Sequence, residues 1–428
     1  MSQQAAVNTM VNLVCILIFF MLHYGAKNGI KKPLSCVIIE VSRLLEKQQN
    51  RGVFFMLNLS LMQKLQKIKP ATKLNLDWIK EQANKKPVLV AAPAKKNLPA
   101  ADEPTGEVLE DISPTGKPRK WRQHKQNNLK LVALYNEANK KFPHLISAGR
   151  LWDMEQCANV LQFVRYLDGS KKLYKAFFCR NRLCPMCQWR RSLKLFGQVS
   201  MMSDWLLVKN PDMRFLFVTF TQANCTGAAL GAEINKINKA FARLTDKTKN
   251  VAGAKMLQKS MLGYIKSTEI TYNSKARTYH PHLHCIFAVE PSYFKTGNYI
   301  GIPAWRALWR DILNLDYLPQ VNAQAVKATN KKAVAELTKY PAKVTSILDL
   351  PTSQAVQVLA DLTNFCRNRR FVSFGGCFKI AKKELRLQDV EAKNADLVTT
   401  GDNIVDKLNP VGQTLYKYNS KFGCYISQ

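Results

Sequence analysis

"TYHPHLHCIFAVE", residues 278–290, places three of the chain's six histidines in what otherwise reads as an apolar strand. Strand side chains alternate between two faces, so His282 and His284 share a face and Leu283 points to the other. Two imidazoles about 7 Å apart on one face are the beginning of a metal site. The preceding stretch, "GYIKSTEITYN" (263–273), alternates in the same way, and the intervening "SKAR" is a hairpin connection. Antiparallel pairing then turns Glu269 toward the histidines as the natural third ligand. His280 is the substitute, although Pro281 interrupts the strand beside it. Two imidazoles and a carboxylate leave positions open for water and substrate. That set suits a hard divalent ion such as Mg²⁺ or Mn²⁺ acting as a Lewis acid on phosphate. Taken alone, the histidines fit a solvent-facing strand or a hydrogen-bonded core equally well.

Outward from this hairpin the pattern is α+β. "MRFLFVTFTQ" (213–222) reads as a strand and "GAALGAEINKINKAFARLTD" (227–246) as a helix. "PAWRALWRDIL" and "KKAVAELTKYPAKV" have helical spacing, and "RRFVSFGGCFK" (369–379) reads as a closing strand. An antiparallel sheet with helices on its faces follows from this order. Within the second of those helices Glu336 and Tyr340 are four residues apart, hence on one face, and Pro341 bends or ends the helix behind them.

The net charge of +34 exceeds what solubility requires and points to a polyanionic partner, above all nucleic acid. Eleven cysteines in a chain of 428 residues exclude a small secreted disulfide scaffold and fit a reducing cytoplasm. The apolar run at 10–24 falls short of the roughly 20 residues of a membrane span. No lysine or arginine precedes it and no clear cleavage site follows, so a membrane partner is not expected. It reads as an extension ahead of an internal start at Met56 or Met62. Residues 84–120 hold six of the eighteen prolines, with alanine runs and mixed charge, the composition of a linker. Residues 1–120 are thus expected to be a largely disordered extension and linker, with order beginning near Trp121 and a helix in "LKLVALYNEANKKF". Residues 121–205 form a helical, cysteine-rich basic segment, and 386–428 a C-terminal tail.

Cys179, Cys184 and Cys187 form C-x4-C-P-x-C, with Cys157 lying 22 residues upstream. Four thiolates can close a tetrahedral structural zinc site, and separate buried cysteines are the plainer alternative. Residues 169–203 carry eight lysines and arginines, no acidic residue, and the aromatics Tyr174, Phe177, Phe178 and Trp189. Arg180, Arg182, Arg190 and Arg191 are the candidates for tracking phosphates while aromatic rings stack on unpaired bases.

"GYIKSTEITYNSKARTYHPHLHCIFAV" resembles the metal-binding region of rolling-circle plasmid replication initiators, members of the histidine-hydrophobe-histidine (HUH) endonucleases. "RFLFVTFTQANCTG", "CRNRLCPMCQWRRSLKLFGQ" and "RRFVSFGGCFK" resemble other segments of that family, in the family's order, over roughly residues 145–385. The resemblance implies a nickase and strand-transferase domain over 206–385. Within it Tyr340 attacks a phosphodiester and becomes joined to the 5′ phosphate, and Glu336 activates water to release the finished strand. Lys339 and Lys343 flank that pair and could hold phosphates. It also implies plasmid double-strand origin DNA and single-stranded DNA as partners, with a host helicase and polymerase behind them. A mobilisation relaxase or transposase of the same superfamily is the nearest alternative. A zinc-containing nucleic-acid binder without catalysis is an alternative of another class.

Overall fold

The computed structural model describes residues 105–113, 116–295, 297–326, 331–338, 344–400 and 410–428. The apolar run at 10–24 and most of the linker lie outside these residues, as do Lys339, Tyr340, Pro341 and Lys343. In chain order the first elements are α1 (Trp121–Lys141), α2 (Ala148–Gln156), β1 (Val160–Tyr166), β2 (Lys171–Ala176) and α3 (Pro185–Lys209). Next come β3 (Arg214–Thr221), α4 (Leu230–Thr245), α5 (Lys255–Ser260), β4 (Met261–Asn273) and β5 (Thr278–Val289). α6 (Ile302–Leu313), β6 (Val321–Val326), α7 (Lys331–Leu337), α8 (Val344–Leu348) and α9 (Thr352–Cys366) follow. The last are β7 (Val372–Gly376), α10 (Cys377–Glu384), β8 (Pro410–Asn419) and β9 (Cys424–Ser427).

The strands make two antiparallel sheets, one in the order β6-β3-β5-β4-β7 and a smaller one in the order β2-β1-β8-β9. β5 takes the centre of the larger sheet because both of its faces can be buried. Leu283, Cys285 and Phe287 enter one core, where the Phe287 ring stacks against Phe241 of α4 and Trp305 of α6. Ile286 and Ala288 enter the other, with Leu195 and Val199 of α3 and Phe378 of α10. Each large side chain buried in this way contributes roughly 1.5–3 kcal/mol. α4 shows the apolar stripe that makes this packing work, with Leu230, Ile234, Ile237, Phe241 and Leu244 buried at helical spacing. The fold class is α+β, an antiparallel sheet covered by helices, as the order of elements predicts.

Four expectations change. The stretch assigned to a C-terminal tail supplies β8 and β9, and β8 pairs with β1 from Val160↔Lys417 to Tyr166↔Pro410. Its partner lies some 250 residues away, so no local pattern announces the pairing. Ordered contacts also begin before Trp121. Val108 bridges Ile426, and Glu107 accepts hydrogen bonds from Lys171 and Tyr416. Nor is 369–379 one closing strand. Gly376 adopts a left-handed φ of 55° and turns the chain from β7 into α10 at Cys377. A division at residue 205 likewise cuts through α3, whose N-terminal turn carries Cys187 and whose later turns cover the larger sheet. Among the described residues no helix is long and apolar enough to cross a membrane.

Candidate metal centre and cysteine cluster

The hairpin closes at Asn273↔Thr278, and its register sets Glu269 directly across from His282 and Ser267 across from His284. On the other side of β5, Thr221 and Thr219 of β3 face the same two histidines. Glu269, His282 and His284 are 3%, 7% and 6% exposed. Oε2 of Glu269 lies 3.1 Å from Nε2 of His282 and 2.8 Å from Nε2 of His284. Burial works to raise the Glu269 pKa, but the hydrogen bonds and charge of the two histidines hold it well below the usual carboxylate range.

These three groups fit a divalent cation. Bonds of about 2.1 Å at right angles put neighbouring donor atoms about 3.0 Å apart, close to the separations from Oε2 to the two ring nitrogens. The far ring nitrogens support that use. Nδ1 of His282 is 3.3 Å from the His280 carbonyl oxygen, and Nδ1 of His284 is 3.1 Å from Thr219 Oγ1. Protons held on both Nδ1 atoms leave the Nε2 lone pairs facing Glu269, the arrangement a metal requires. Thr219 carries no sequence signal of its own and becomes part of the site only through the β3–β5 register.

His280 stands apart from this group. Its Nδ1 is 2.9 Å from Asn224 Oδ1, and its ring centroid is 5.5 Å from that of His282. Burial and then the neighbouring His282 lower its pKa. The candidate group is thus Glu269, His282 and His284, and His280 is not part of it. Glu336 on α7 reaches the same place from above the sheet, with Oε1 3.9 Å from Nε2 of His284 and the side chain partly exposed. Tyr340, Lys339 and Lys343 lie outside the described residues.

The four cysteines of the second set converge. Cys157 caps the C-terminus of α2, Cys184 caps the N-terminus of α3, and all four thiols are buried. Sγ of Cys187 is 3.6 Å from those of Cys157 and Cys179, and Sγ of Cys184 is 3.7 Å from that of Cys157. A disulfide needs about 2.05 Å. A tetrahedron of sulfurs around a metal at about 2.3 Å has edges of about 3.75 Å, which matches. Backbone N–H groups of Cys179 and Arg180 point at Sγ of Cys157 and Cys187, at 3.4 and 3.2 Å. The Lys125 ammonium is buried nearby and donates to the carbonyls of Glu155 and Cys157. Burial lowers its pKa, while the cysteines work in the opposite direction. Burial likewise pushes the thiols of Cys157, Cys179 and Cys184 up. Metal binding would take the four thiols to thiolates, and the net negative charge of such a site would favour the Lys125 ammonium.

Two of the four arginines expected on DNA are internal. Arg190 is 2% exposed, donates to the Leu397 and Val398 carbonyls at 2.8 and 2.6 Å, and lies over the rings of Trp121 and Trp189. Arg191 is 3% exposed and donates to the Arg180 and Asn181 carbonyls. Charge density in the sequence reads as a phosphate track, but these guanidiniums turn inward and donate to backbone carbonyls, that of Leu397 being buried. Arg182 pairs with Glu391 at 2.9 Å, and Arg180 is exposed. Phe178 is core, whereas Tyr174 and Phe177 are exposed.

The chain is therefore an α+β protein with a candidate divalent-metal centre on a helix-covered sheet and a separate four-cysteine site. The family model described as "Replication protein" matches residues 170–426. The chain belongs to this family, the Rep initiators of rolling-circle plasmid replication that its motifs resemble. It is 38% identical to "Protein rep" of Streptococcus pneumoniae serotype 2 (strain D39 / NCTC 7466) over 69% of this chain and 88% of that protein. It is 36% identical to "Protein rep" of Lentilactobacillus hilgardii over 67% of this chain and 88% of that one. With "Protein rep" of Lactiplantibacillus plantarum the identity is 35%, over 69% and 90%. No solved structure matches the chain.

Proposed function

We propose that the protein starts and ends rolling-circle replication of a plasmid by nicking the double-strand origin and rejoining the strands, as an HUH endonuclease. The observation that carries this reading is the meeting of Glu269, His282 and His284 with Glu336 at one partly open point of the sheet. A bound Mg²⁺ or Mn²⁺ would polarise the scissile phosphate. Tyr340 lies four residues beyond Glu336 in sequence. Its oxygen attacks phosphorus, the P–O3′ bond breaks, and the phenol proton leaves as the 3′ oxygen is protonated. The products are a 5′-phosphotyrosine and a free 3′-hydroxyl that can prime a polymerase. A phenol with a pKa near 10 needs such help at neutral pH. Strands are rejoined when a 3′-hydroxyl attacks phosphorus, the P–O bond to Tyr340 breaks and the proton passes to the phenol oxygen. In the terminating step Glu336 takes a proton from water, whose oxygen bonds to phosphorus as the Tyr340 phenolate leaves. The phenolate is reprotonated and a 5′ phosphate is freed. Lys339 and Lys343 would steady the flanking phosphates, and a host helicase would open the duplex ahead.

The four cysteines would hold a structural Zn²⁺ that anchors α2 and α3. Arg180, Arg367 and Lys393 line a groove of about 630 Å³ together with the ion pairs Arg150–Asp153 and Arg182–Glu391, a net-positive surface suited to single-stranded DNA beside exposed Phe177.

The test is a labelled origin oligonucleotide resolved on a denaturing gel with Mn²⁺ present. Tyr340→Phe should abolish both nicking and the covalent band. Glu336→Ala should keep the band but fail to hydrolyse it. A covalent band in Tyr340→Phe moves the nucleophile elsewhere. Equal loss in the two variants makes the carboxylate necessary for the attack itself.

A further inference from the structure

The face of the larger sheet opposite the metal centre carries a second groove, of about 860 Å³, between α9, the N-terminal end of α4 and the tip of the β4–β5 hairpin. Nothing in the metal chemistry uses it. Ser353, Gln357, Asp361 and Asn364 of α9 line it, and their spacing puts them on one helix face. The opposite face of α9, including Ala355, Leu359 and Leu362, is buried. Lys141, Arg277 and Arg369 supply the cations of the lining, and none of the three makes an ion pair among the described residues. Asp361 is its one carboxylate.

We infer that this groove holds duplex DNA beside the nick site, with α9 facing the base edges and Lys141, Arg277 and Arg369 on phosphates. The inference rests on the DNA-nicking reading above. Duplex is favoured over an unpaired strand because the aromatic rings lining the groove are already engaged. Tyr272 packs on Tyr279 at 5.0 Å, and Phe365 packs on Phe371 at 5.8 Å with the Arg369 guanidinium over it at 4.9 Å. A single-strand groove offers stacking platforms, whereas a polar helix face with a basic rim suits a duplex groove.

One residue in the groove is positioned to read a base. The Tyr279 hydroxyl donates to Asp361 Oδ2 at 2.7 Å, and Gln357 Nε2 donates to Asp361 Oδ1 at 3.1 Å. With one amide hydrogen spent on Asp361, Gln357 keeps the other hydrogen and Oε1. A donor beside an acceptor is the pair that adenine N7 and N6 require in the major groove. The holding is tight, since a Cβ on Gly227 would collide with the Asp361 carboxylate. Gln354 ties the same helix to the hairpin through Tyr272 Oη and the Ser274 carbonyl, at 2.9 and 2.8 Å. Tyr279 on the groove side and His280 on the metal side are consecutive residues. The groove and the metal centre therefore lie on opposite faces of the same strand, β5.

The experiment uses the full chain without added Mg²⁺ or Mn²⁺ and a duplex library with a randomised core, scored by selection and by titration against salt. Lys141→Ala, Arg277→Ala and Arg369→Ala combined should weaken duplex binding and reduce the log–log salt slope by about 3. Arg277→Lys and Arg369→Lys should keep both. Gln357→Ala should erase a preference for adenine at one position, on the order of tenfold. The inference is overturned if the triple variant keeps wild-type affinity and slope, or if the lysine variants lose as much as the alanine ones. A triple variant that loses unpaired DNA while keeping duplex also overturns it, because the groove would then hold a single strand. A wild type that selects duplex yet never nicks it with Mn²⁺ leaves the groove standing and removes the nicking reading instead.

Discussion

Thr219→Val is the sharpest test of how the candidate metal centre is built. Valine keeps the β-branched shape on β3 and removes only the hydroxyl that lies 3.1 Å from Nδ1 of His284. With a metal on Nε2, the proton must sit on Nδ1, where the variant offers it no acceptor. An unpaired donor of this kind costs about 1–3 kcal/mol, which is about a 5- to 150-fold loss of affinity. The metal-free protein escapes that cost by keeping the proton on Nε2, against Glu269 Oε2 at 2.8 Å. The metal-free variant keeps an unpaired Nδ1 acceptor instead, so the unfolding measurement separates that cost from the loss of metal affinity. That loss agrees with the 10- to 100-fold typical of lost partners behind a metal ligand. The assay is Mn²⁺ titration of the purified protein, followed by paramagnetic resonance of the free ion, beside urea unfolding of the same samples. Thr219→Ser should restore binding. Affinity within twofold of wild type would refute the argument, because the hydroxyl would then not be orienting the imidazole. A loss as complete as that of His284→Ala would refute it too, by making the hydroxyl a ligand.

Three further outcomes are expected. Freshly purified protein should hold about one zinc per chain by elemental analysis, and Cys184→Ser should lose it together with solubility. Arg190→Met removes the donors to the Leu397 and Val398 carbonyls and should cost about 2–5 kcal/mol in urea unfolding, with the salt slope of DNA binding unchanged in the folded fraction. His124 stacks on Trp189 at 4.6 Å, and burial, then Lys120, lower its pKa to about 4. The unfolded chain takes up that proton near 6.5, so stability is full above that pH and drains as the pH falls toward 4. At pH 5 the loss is about 2 kcal/mol, which His124→Phe should remove when unfolding at pH 8 and pH 5 is compared.

What the sequence determined by itself is what neighbouring residues encode. Alternation along 263–273 and 278–289, with four residues between, sufficed for the hairpin, its register and the shared face of Glu269, His282 and His284, because strand geometry has a period of two. The helical spacing of 227–246 and 303–313 was legible for the same reason. Cysteine chemistry was enough to group Cys157 with Cys179, Cys184 and Cys187. Only the tertiary structure decided which residues lose contact with water and which distant segments meet. It put β8 beside β1, sent the guanidiniums of Arg190 and Arg191 inward to carbonyls, set Thr219 behind His284, and opened a groove along α9. Pairing across some 250 residues and the desolvation of a charge depend on everything packed around them, and no local period carries that information.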